Sequence, residues 1–317
     1  MLSGLSALEL AWLLAAGVLL DLLLGEARRF HPLVGFGNLA GAVERRLNLG
    51  RWRIMRGTLA WSLVVLPPVG FAWWLAAQSA PRFGLIAHVL MLYLSLGLRS
   101  LREHTLPIFA ALRDGDLPQA RRLTARIVSR DTQQAAAPDL AKAGAESLLE
   151  NGNDAVFGTL FWFLLAGGPG AILFRLANTL DAMWGYRNGR FDLFGRVAAR
   201  IDDVLNYLPA RLTALSYVLL APDGGHRLAW RCWREQAGGW SSPNAGPVMA
   251  SGAGALGIEL GGAAVYAGQV EQRPPLGAGR PPAPVDIVRA WRLVLSSTLL
   301  WLVLACASAV LLGDPYA

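Results

Sequence analysis

The stretch GTLAWSLVVLPPVGFAWWLAA, residues 57–77, decides the fold class because its 21 residues include no charged side chain. A helix needs about 20 predominantly apolar residues to cross the hydrocarbon core of a bilayer. Residues 293–313 form a second uncharged stretch of the same length. Runs this long and this apolar predict transmembrane helices rather than the buried helices of a soluble protein.

Other apolar runs extend this to a multi-pass protein. Residues 5–24 and 83–98 are further predicted spans, and the first lacks the basic n-region of a cleaved signal peptide. Residues 155–174 and 207–221 are weaker candidates, because glycines interrupt the first and Arg211 the second. Only 16% of the 317 residues are charged, against about a quarter in soluble domains. We predict an all-α, polytopic integral membrane protein with one domain over residues 1–317.

The basic residues predict an orientation. The formal net charge is +7, and Lys142 is the single lysine among 29 basic residues. Residues 25–56 hold seven arginines against two glutamates, and residues 99–154 hold seven arginines. The positive-inside rule accounts for such loops without a nucleic-acid partner. It predicts that residues 25–56 and 99–154 are cytoplasmic and that the turn at 78–82 lies outside. The long segment 222–290 is expected to be cytoplasmic as well.

Local signals predict how the intervening segments fold. Asp116 followed by Pro118 is typical of a helix start, and Pro138 predicts the start of a second helix. Residues 266–284 are rich in glycine and proline and predict a loop. The Gly-Gly-Pro-Gly break at residues 167–170 leaves two paths open. Residues 155–174 either form a re-entrant hairpin shielded by protein, or cross fully and help to enclose a charged, water-accessible cavity.

Glu146, Glu150 and Asp154 form the first candidate constellation. Their i, i+4, i+8 spacing places all three on one face of a helix. Like charges at this spacing are mildly destabilising, and only Lys142 precedes them by a turn. A metal ion would relieve the repulsion; a solvated acidic stripe at a helix end is the alternative.

A second constellation lies in residues 178–211, where acidic, amide and guanidinium groups alternate with apolar residues. Asn178 and Asp181 are one turn apart, as are Asp202 and Asn206, with Asp203 adjacent. Carboxylate and amide oxygens are the ligands that Mg²⁺ takes, usually together with substrate phosphates, and arginines match phosphate oxygens. The segment therefore predicts a nucleotide-and-metal site, with an ion-pair network between interfacial helices as the alternative.

Several enzyme classes lack their signatures. There is no Gly-x-x-x-x-Gly-Lys-Ser/Thr loop, no Gly-x-Ser-x-Gly elbow, and no pair of histidines with metal-ligand spacing. His88 lies within a predicted span and is interpreted as a helix-packing group. Cys232 and Cys306 support neither a disulfide framework nor a zinc site. The turn SSPNAG at residues 241–246 either holds a ligand or caps the helix that follows.

Taken in order along residues 10–312, several blocks resemble the CobD/CbiB family of cobalamin biosynthesis. They are DLLLGEARRFHPLVGFG (21–37), GDLPQARRLTARIVSRDT (115–132), ESLLENGNDAV (146–156), GGPGAILFRLANTLDAMWGYR (167–187), RIDDVLNYLPARLTAL (200–215) and SPNAGPVMASGAGALGIELGG (242–262).

The resemblance implies an enzyme of the bacterial inner membrane with its active site facing the cytoplasm, adenosylcobinamide-phosphate synthase. This is an ATP-dependent ligase that joins adenosylcobyric acid to aminopropanol phosphate, or aminopropanol, and needs Mg²⁺. ATP-driven amidation normally passes through an acyl phosphate, whose formation needs metal and arginine to offset phosphoryl charge. Homo-oligomers and contacts with later membrane enzymes of the pathway stay open.

On this reading the candidate residues fall into three groups. The candidate Mg²⁺ ligands are Glu146, Glu150, Asp154, Asp181, Asp202 and Asp203, and all of these except Asp154 are also candidate catalytic carboxylates. The candidate substrate- and phosphate-binding residues are Arg130, Asp131, Thr132, Asn151, Asn178, Arg187, Arg200, Asn206, Arg211, Ser242 and Asn244.

Two other classes are weighed against the ligase. A non-catalytic sensor of the same fold, like the AmpE-like relatives, would not need SRDT, ESLLEN, NTLD and RIDD together. A transporter would carry charged residues within its membrane spans, and the predicted spans at 57–77 and 293–313 contain none.

Overall fold

The computed structural model of the chain describes residues 3–26, 31–77, 81–266 and 268–312. Most of these residues are helical. The helices are α1 (Ala7–Leu24), α2 (Pro32–Leu47), α3 (Arg53–Ala76), α4 (Pro81–Ser95), α5 (Leu98–Arg113), α6 (Leu117–Thr124), α7 (Ala137–Gly152), α8 (Gly158–Trp184), α9 (Arg196–Leu219), α10 (His226–Gln236), α11 (Ala245–Leu256) and α12 (Val285–Leu312). A π-helical turn, Asn153–Phe157, joins α7 to α8, and two strands, β1 (Glu259–Tyr266) and β2 (Gln269–Gly277), form a hairpin.

Five helical stretches in the described ranges are long and apolar enough to cross a membrane. They are Ala7–Leu24, Arg53–Ala76, Arg82–Arg113, Ala137–Trp184 and Val285–Leu311. These stretches contain the predicted spans at 57–77 and 83–98 almost entirely, as well as the weaker run at 155–174. They also contain the predicted spans at 5–24 and 293–313 except for a few residues at the ends. Gly313 lies outside the described residues, and so do residues 78–80 of the predicted external turn. The run at 207–221 belongs to α9, which is not one of the five. The all-α polytopic membrane class is confirmed.

The chain divides into two compact units and passes between them after Gly97, Phe157, Asn206 and Trp301. The first unit comprises Met1–Gly97, Gly158–Asn206 and Leu302–Ala317, and the second comprises Leu98–Phe157 and Tyr207–Trp301. In the first unit, α2, α3 and α8 share a core that includes Trp61, Leu180 and Trp184.

The predicted break at residues 167–170 is present in the first unit as a kink within α8. Gly167 has non-helical dihedral angles, with φ at +66° and ψ at −156°. The break frees the N–H of Gly168, which donates a hydrogen bond of 2.8 Å to Nδ1 of His88 on α4. His88 is buried and packs edge-on against Phe163. Its interpretation as a packing group is confirmed, and its ring satisfies a backbone donor that the apolar surroundings would leave unpaired.

Two helix starts predicted for the second unit are confirmed. The side chain of Asp116 caps α6 by accepting the N–H of Gln119 at 2.9 Å. Helix α7 begins at Ala137, with Pro138 in its first turn, where the missing N–H of proline leaves no hydrogen bond unmade.

The prediction of a loop over residues 266–284 is wrong for its first half. Gln269–Gly277 pairs antiparallel with Glu259–Tyr266. The alternating residues QVEQR suit an edge strand that is mostly exposed, and Pro274 and Pro275 lie near its end, where prolines are tolerated. The register shifts between Leu260 and Gly262, so Gly261, at φ +73°, forms a bulge.

Candidate active site

The carboxylate of Glu146 lies at the centre of a buried ion cluster in the second unit. Its Oε2 accepts hydrogen bonds from Arg130 (2.9 Å) and Arg273 (3.2 Å), and its Oε1 accepts one from Arg273 (3.1 Å). The exposed fraction of the side chain is only 7% for Glu146, 9% for Arg130 and 12% for Arg273. The repulsion expected along α7 is thus relieved at Glu146 by two arginines from other segments, whereas Lys142 lies 4.0 Å from Asp139.

The bulge in the hairpin completes this cluster. The N–H of Gly261 donates to Oε1 of Glu146 at 2.8 Å, a contact that depends on the irregular pairing at this point. Arg273 also donates to the carbonyls of Gly261 and Gly262 and lies over the ring of Trp240, 5.6 Å from its centroid. Each oxygen of Glu146 therefore accepts two donors, which fills the acceptor capacity of a carboxylate. This coordination suits Glu146 to positioning the two arginines.

A polar cavity of about 160 Å³ opens beside the cluster. It is lined by both arginines, by Glu146 and Glu150, and by Ile127, Val128, Ser129, Ala143, Ser147, Asn151 and Tyr266. Within the ranges that the structure describes, the side chain of Glu150 forms no hydrogen bond or ion pair. Asp154 and Glu146 act on it as like charges, while Arg273 and Arg130 act as opposite charges. A carboxylate in this position favours a cationic ligand, because both nearby guanidinium groups are already bound to Glu146.

The side chains next to this cavity have defined partners. Asn151 donates to the carbonyl of Ser147 at 2.9 Å. The side chain of Thr132 donates to the carbonyl of Arg121 at 3.1 Å, and Asp131 accepts the N–H of Gln133 at 2.9 Å. A second cavity of about 430 Å³ shares Arg130 and Ala143 with the first. Its lining combines aliphatic side chains of α7, β1 and β2 with polar and charged ones, among them Asp131, Asp139 and Lys142.

Arg211 and the SSPNAG turn form a separate arrangement in the second unit. The Arg211 guanidinium donates to Oδ1 of Asn244 (2.7 Å) and to the carbonyls of Pro243 and Tyr207 (both 2.9 Å). It also stacks over the ring of Tyr207 at 3.6 Å. Ser242 accepts the N–H of Ala245, the first residue of α11. Ser242 thus caps the first N–H of α11, although the N-cap residue Asn244 makes no side-chain capping bond. Arg211 holds the turn against α9, and the interpretation of the turn as a ligand site stays a prediction.

The remaining predicted residues lie in the first unit, on the C-terminal half of α8, in the segment after it and on the first turns of α9. Asn178 donates to Oδ1 of the buried Asp202, with 3.4 Å between the two atoms. Asn206, one turn after Asp202, is also buried. Burial raises the pKa of Asp203, while the positive charges of Arg200 and Arg187 oppose that rise.

Asp181 lies one turn before the close approach of Gly185, where a Cβ atom would clash with its Oδ1. The structure therefore brings the RIDD and NTLD residues together within one unit, and Arg130, Glu146 and Glu150 together within the other.

The candidate metal ligands were tested against this geometry. In the parts of the chain that the structure describes, no three histidine, cysteine, aspartate or glutamate side chains lie close enough to hold an ion by themselves. Magnesium sites that share the ion with substrate phosphates usually use only one or two carboxylates. Glu150 with Asp154 fits such a site, because both belong to one run of helix and no cation in the described residues is bound to Glu150.

Sequence reasoning missed Arg273 and Gly261. Arg273 lies in residues 266–284, whose glycine and proline content predicted a loop, and Gly261 lies just before that segment. The usable signal was the pair of β-compatible stretches GAAVY and QVEQR around Gly268, because a glycine between two such stretches is typical of a hairpin.

The helices and the buried polar cluster define a multi-pass membrane protein with a cavity that carries both signs of charge. The sequence profile described as CobD/Cbib protein matches residues 14–294. The chain belongs to the CobD/CbiB family.

Its relatives cover nearly the whole chain. A protein of Stutzerimonas stutzeri (strain A1501), named "Cobalamin biosynthesis protein CobD", is 57% identical over 90% of this chain and 93% of its own length. A protein of the same name from Chromobacterium violaceum is 53% identical over 97% of this chain and 99% of its own. A protein of the same name from Mycobacterium tuberculosis (strain H37Rv) is 37% identical over 86% of this chain and 88% of its own length. No solved structure matches the chain significantly.

Proposed function

We propose that this protein is the ATP-dependent amide ligase that joins adenosylcobyric acid to aminopropanol phosphate, or to aminopropanol, in cobalamin biosynthesis at the bacterial inner membrane. Family membership over most of the chain supports the pathway. The observation that carries the chemistry is the polar cavity in which Glu150 faces two buried arginines.

The reaction needs two steps. A carboxylate oxygen of the corrinoid attacks the γ-phosphorus of ATP, the bond to the bridging oxygen breaks, and ADP leaves. The amine nitrogen then attacks the acyl carbon, inorganic phosphate leaves, and the nitrogen loses a proton to a base. The first step concentrates negative charge on the phosphoryl oxygens, so donors that are already fixed in place lower its barrier.

The residues of the second unit suit these demands. A guanidinium carries five N–H groups. Arg130 donates one of them to Glu146, whereas Arg273 donates two to Glu146 and two to the carbonyls of Gly261 and Gly262. Arg130 is therefore the main proposed phosphate donor, and Arg273 would contribute its one remaining N–H. Glu146 is the proposed positioning residue, because it fixes both guanidinium groups. Glu150 and Asp154 would hold Mg²⁺, which offsets the charge of the phosphoryl oxygens when it is bound.

Asp202 and Asn178 belong to the first unit, and their part in the same reaction is a separate element of the proposal. Their hydrogen bond, the burial of Asp202 and the adjacent Arg200 support a role in metal or substrate binding. Asp202→Ala is expected to abolish turnover while membrane expression stays normal. Normal turnover in this variant would contradict a part for Asp202 in the reaction.

The test of the reaction uses purified protein in detergent with ATP, Mg²⁺, adenosylcobyric acid and aminopropanol phosphate. Mass spectrometry should show a corrinoid heavier by the amine minus water, together with one ADP per product. Omitting ATP, Mg²⁺ or the amine in turn should each prevent product formation. ADP release with no change in corrinoid mass, or product formed without ATP, would overturn the ligase assignment.

A further inference from the structure

A second charged cavity lies in the first unit, where α2 ends and α3 begins. Its volume is about 440 Å³ and its lining combines three arginines with one glutamate. The lining residues are Glu44, Arg45, Asn48, Leu49, Gly50, Arg53 and Arg190. None of them takes part in the proposed ligase site.

The internal contacts leave this cavity with a net positive charge. The buried Glu44 accepts hydrogen bonds from Arg190 at 2.6 and 3.1 Å and from Asn48 at 2.6 Å. Although burial opposes it, the hydrogen bonds from Arg190 and Asn48 lower the pKa of Glu44, so this carboxylate stays ionised and offsets Arg190. Once Glu44 has offset Arg190, the charges of Arg45 and Arg53 remain, so the net charge of the cavity lining is +2.

The two remaining arginines differ in how they are held. Arg53 donates to Oδ1 of Asn48 at 2.9 Å and to backbone carbonyls of Gly189 and Arg190. Arg45 is exposed and, across the described residues, forms no hydrogen bond or ion pair. The cavity thus presents one fixed and one uncommitted guanidinium group, a combination suited to a phosphate oxyanion.

The aromatic residues of α3 indicate the depth of this cavity in a membrane. Trp52 precedes α3 and is 73% exposed, while Trp73 and Trp74 near the other end are 41% and 58% exposed. Tryptophans gather at the two membrane–water interfaces, and the 24 residues of α3 span about 36 Å. The end of α3 that carries Trp52 and the cavity therefore lies at headgroup level.

The loop between α2 and α3, together with the first turn of α3, also offers an apolar surface. Leu49 and Met55 are 58% and 63% exposed. Trp52 adopts a left-handed conformation, with φ at +66°, which few residues other than glycine tolerate. Such strain persists where the surroundings fix a residue for a function, and here it holds an exposed indole ring directly before Arg53 in the sequence.

We propose that this cavity binds the phosphate group of an anionic phospholipid, with Arg45 and Arg53 as its ligands and with Leu49, Trp52 and Met55 beside the acyl chains. Basic pockets at the ends of membrane helices bind anionic headgroups. A free phosphate ion would use the same arginines but would gain nothing from the exposed apolar loop, so a lipid is the preferred source.

Native mass spectrometry in uncharged detergent tests the proposal, with phosphatidylglycerol, phosphatidylcholine and inorganic phosphate as separate probes. Phosphatidylglycerol should form a saturable one-to-one complex. Arg45→Gln should raise its Kd about fivefold, whereas Arg45→Lys should retain most of the affinity. Arg51→Gln is the matched control, because Arg51 lies in the loop that follows α2 but does not line the cavity, and its Kd should stay within about twofold.

Three outcomes would overturn the proposal. They are equal losses in Arg45→Gln and Arg51→Gln, equal affinity for phosphatidylcholine, and inorganic phosphate displacing the lipid at equal concentration. The first would indicate general attraction to a basic surface, the second purely apolar binding, and the third a site for the free ion. Within the described residues the side chain of Arg45 forms no hydrogen bond or ion pair and acts on Glu44 only as a nearby charge, so its variants are expected to fold normally.

Discussion

Glu146→Gln removes the charge at the centre of the ion cluster while keeping nearly the same shape. Arg130 and Arg273 would then be left at 9% and 12% side-chain exposure without the carboxylate that they bind. Removing one partner of a buried ion pair typically costs about 3–5 kcal/mol, because the charge that remains is uncompensated. We expect a loss of this size in the free energy of unfolding, since a neutral amide cannot replace either ionic contact.

Thermal unfolding in detergent, followed by tryptophan fluorescence, measures this effect. At about 2 °C per kcal/mol for a chain of this size, the unfolding midpoint of Glu146→Gln should fall by about 6–10 °C. Glu103→Gln is the control, because Glu103 pairs with Arg99 on an exposed helix face, where a pair is worth less than about 1 kcal/mol. Equal shifts in the two variants, or a shift under about 2 °C for Glu146→Gln, would refute the reasoning.

Three further perturbations test other parts of the fold. Gly261→Ala should lower the unfolding midpoint by several degrees and weaken the contact with Glu146, because φ is +73° and a Cβ would clash with the carbonyl oxygen of Pro274; an unchanged midpoint would contradict the bulge. His88→Leu should cost about 1–3 kcal/mol by leaving a buried backbone N–H without its acceptor, and a neutral result by thermal unfolding would mean that the N–H finds another partner. Because burial raises the pKa of Asp203, the folded state binds its proton more tightly than the unfolded chain, so stability falls as pH rises from 3.8 through the raised pKa. Asp203→Asn should flatten that part of the midpoint–pH curve, and an unaltered curve would contradict the assignment.

The apolar runs predicted the fold class well, because a bilayer allows few alternatives for 21 residues without charge. Residues 57–77 and 83–98 lie almost wholly within long helices, and the break at Gly167 was predicted from its glycines. The hairpin was missed because its stability comes from contacts distant in sequence. Arg273 binds Glu146 across 127 residues, and no local propensity reports such a contact.

In the candidate site, too, spacing along one helix was predictable, whereas contacts between residues distant in sequence were not. Helical spacing correctly placed Glu150 near Glu146 and Asp154. Helical spacing could not show that Arg130 and Arg273 neutralise Glu146. Because they do, Glu150 is the carboxylate of the cavity that makes no ion pair within the described ranges. The acidic character of α7 was predictable, whereas the identity of the residues that compensate it depended on the tertiary fold.

The central claim is that Glu150 is essential to ligation as a carboxylate of the polar cavity that forms no ion pair within the described residues. The most direct test is the rate at which Glu150→Gln converts adenosylcobyric acid to the amide at saturating ATP, Mg²⁺ and aminopropanol phosphate, compared with Glu103→Gln. The account predicts a loss of at least about a hundredfold in kcat, the size typical of removing a group that stabilises charge in the transition state. Glu103→Gln should retain the rate of the unaltered enzyme, with both variants folded to similar unfolding midpoints. A folded Glu150→Gln protein that forms the amide at the normal rate would contradict the account.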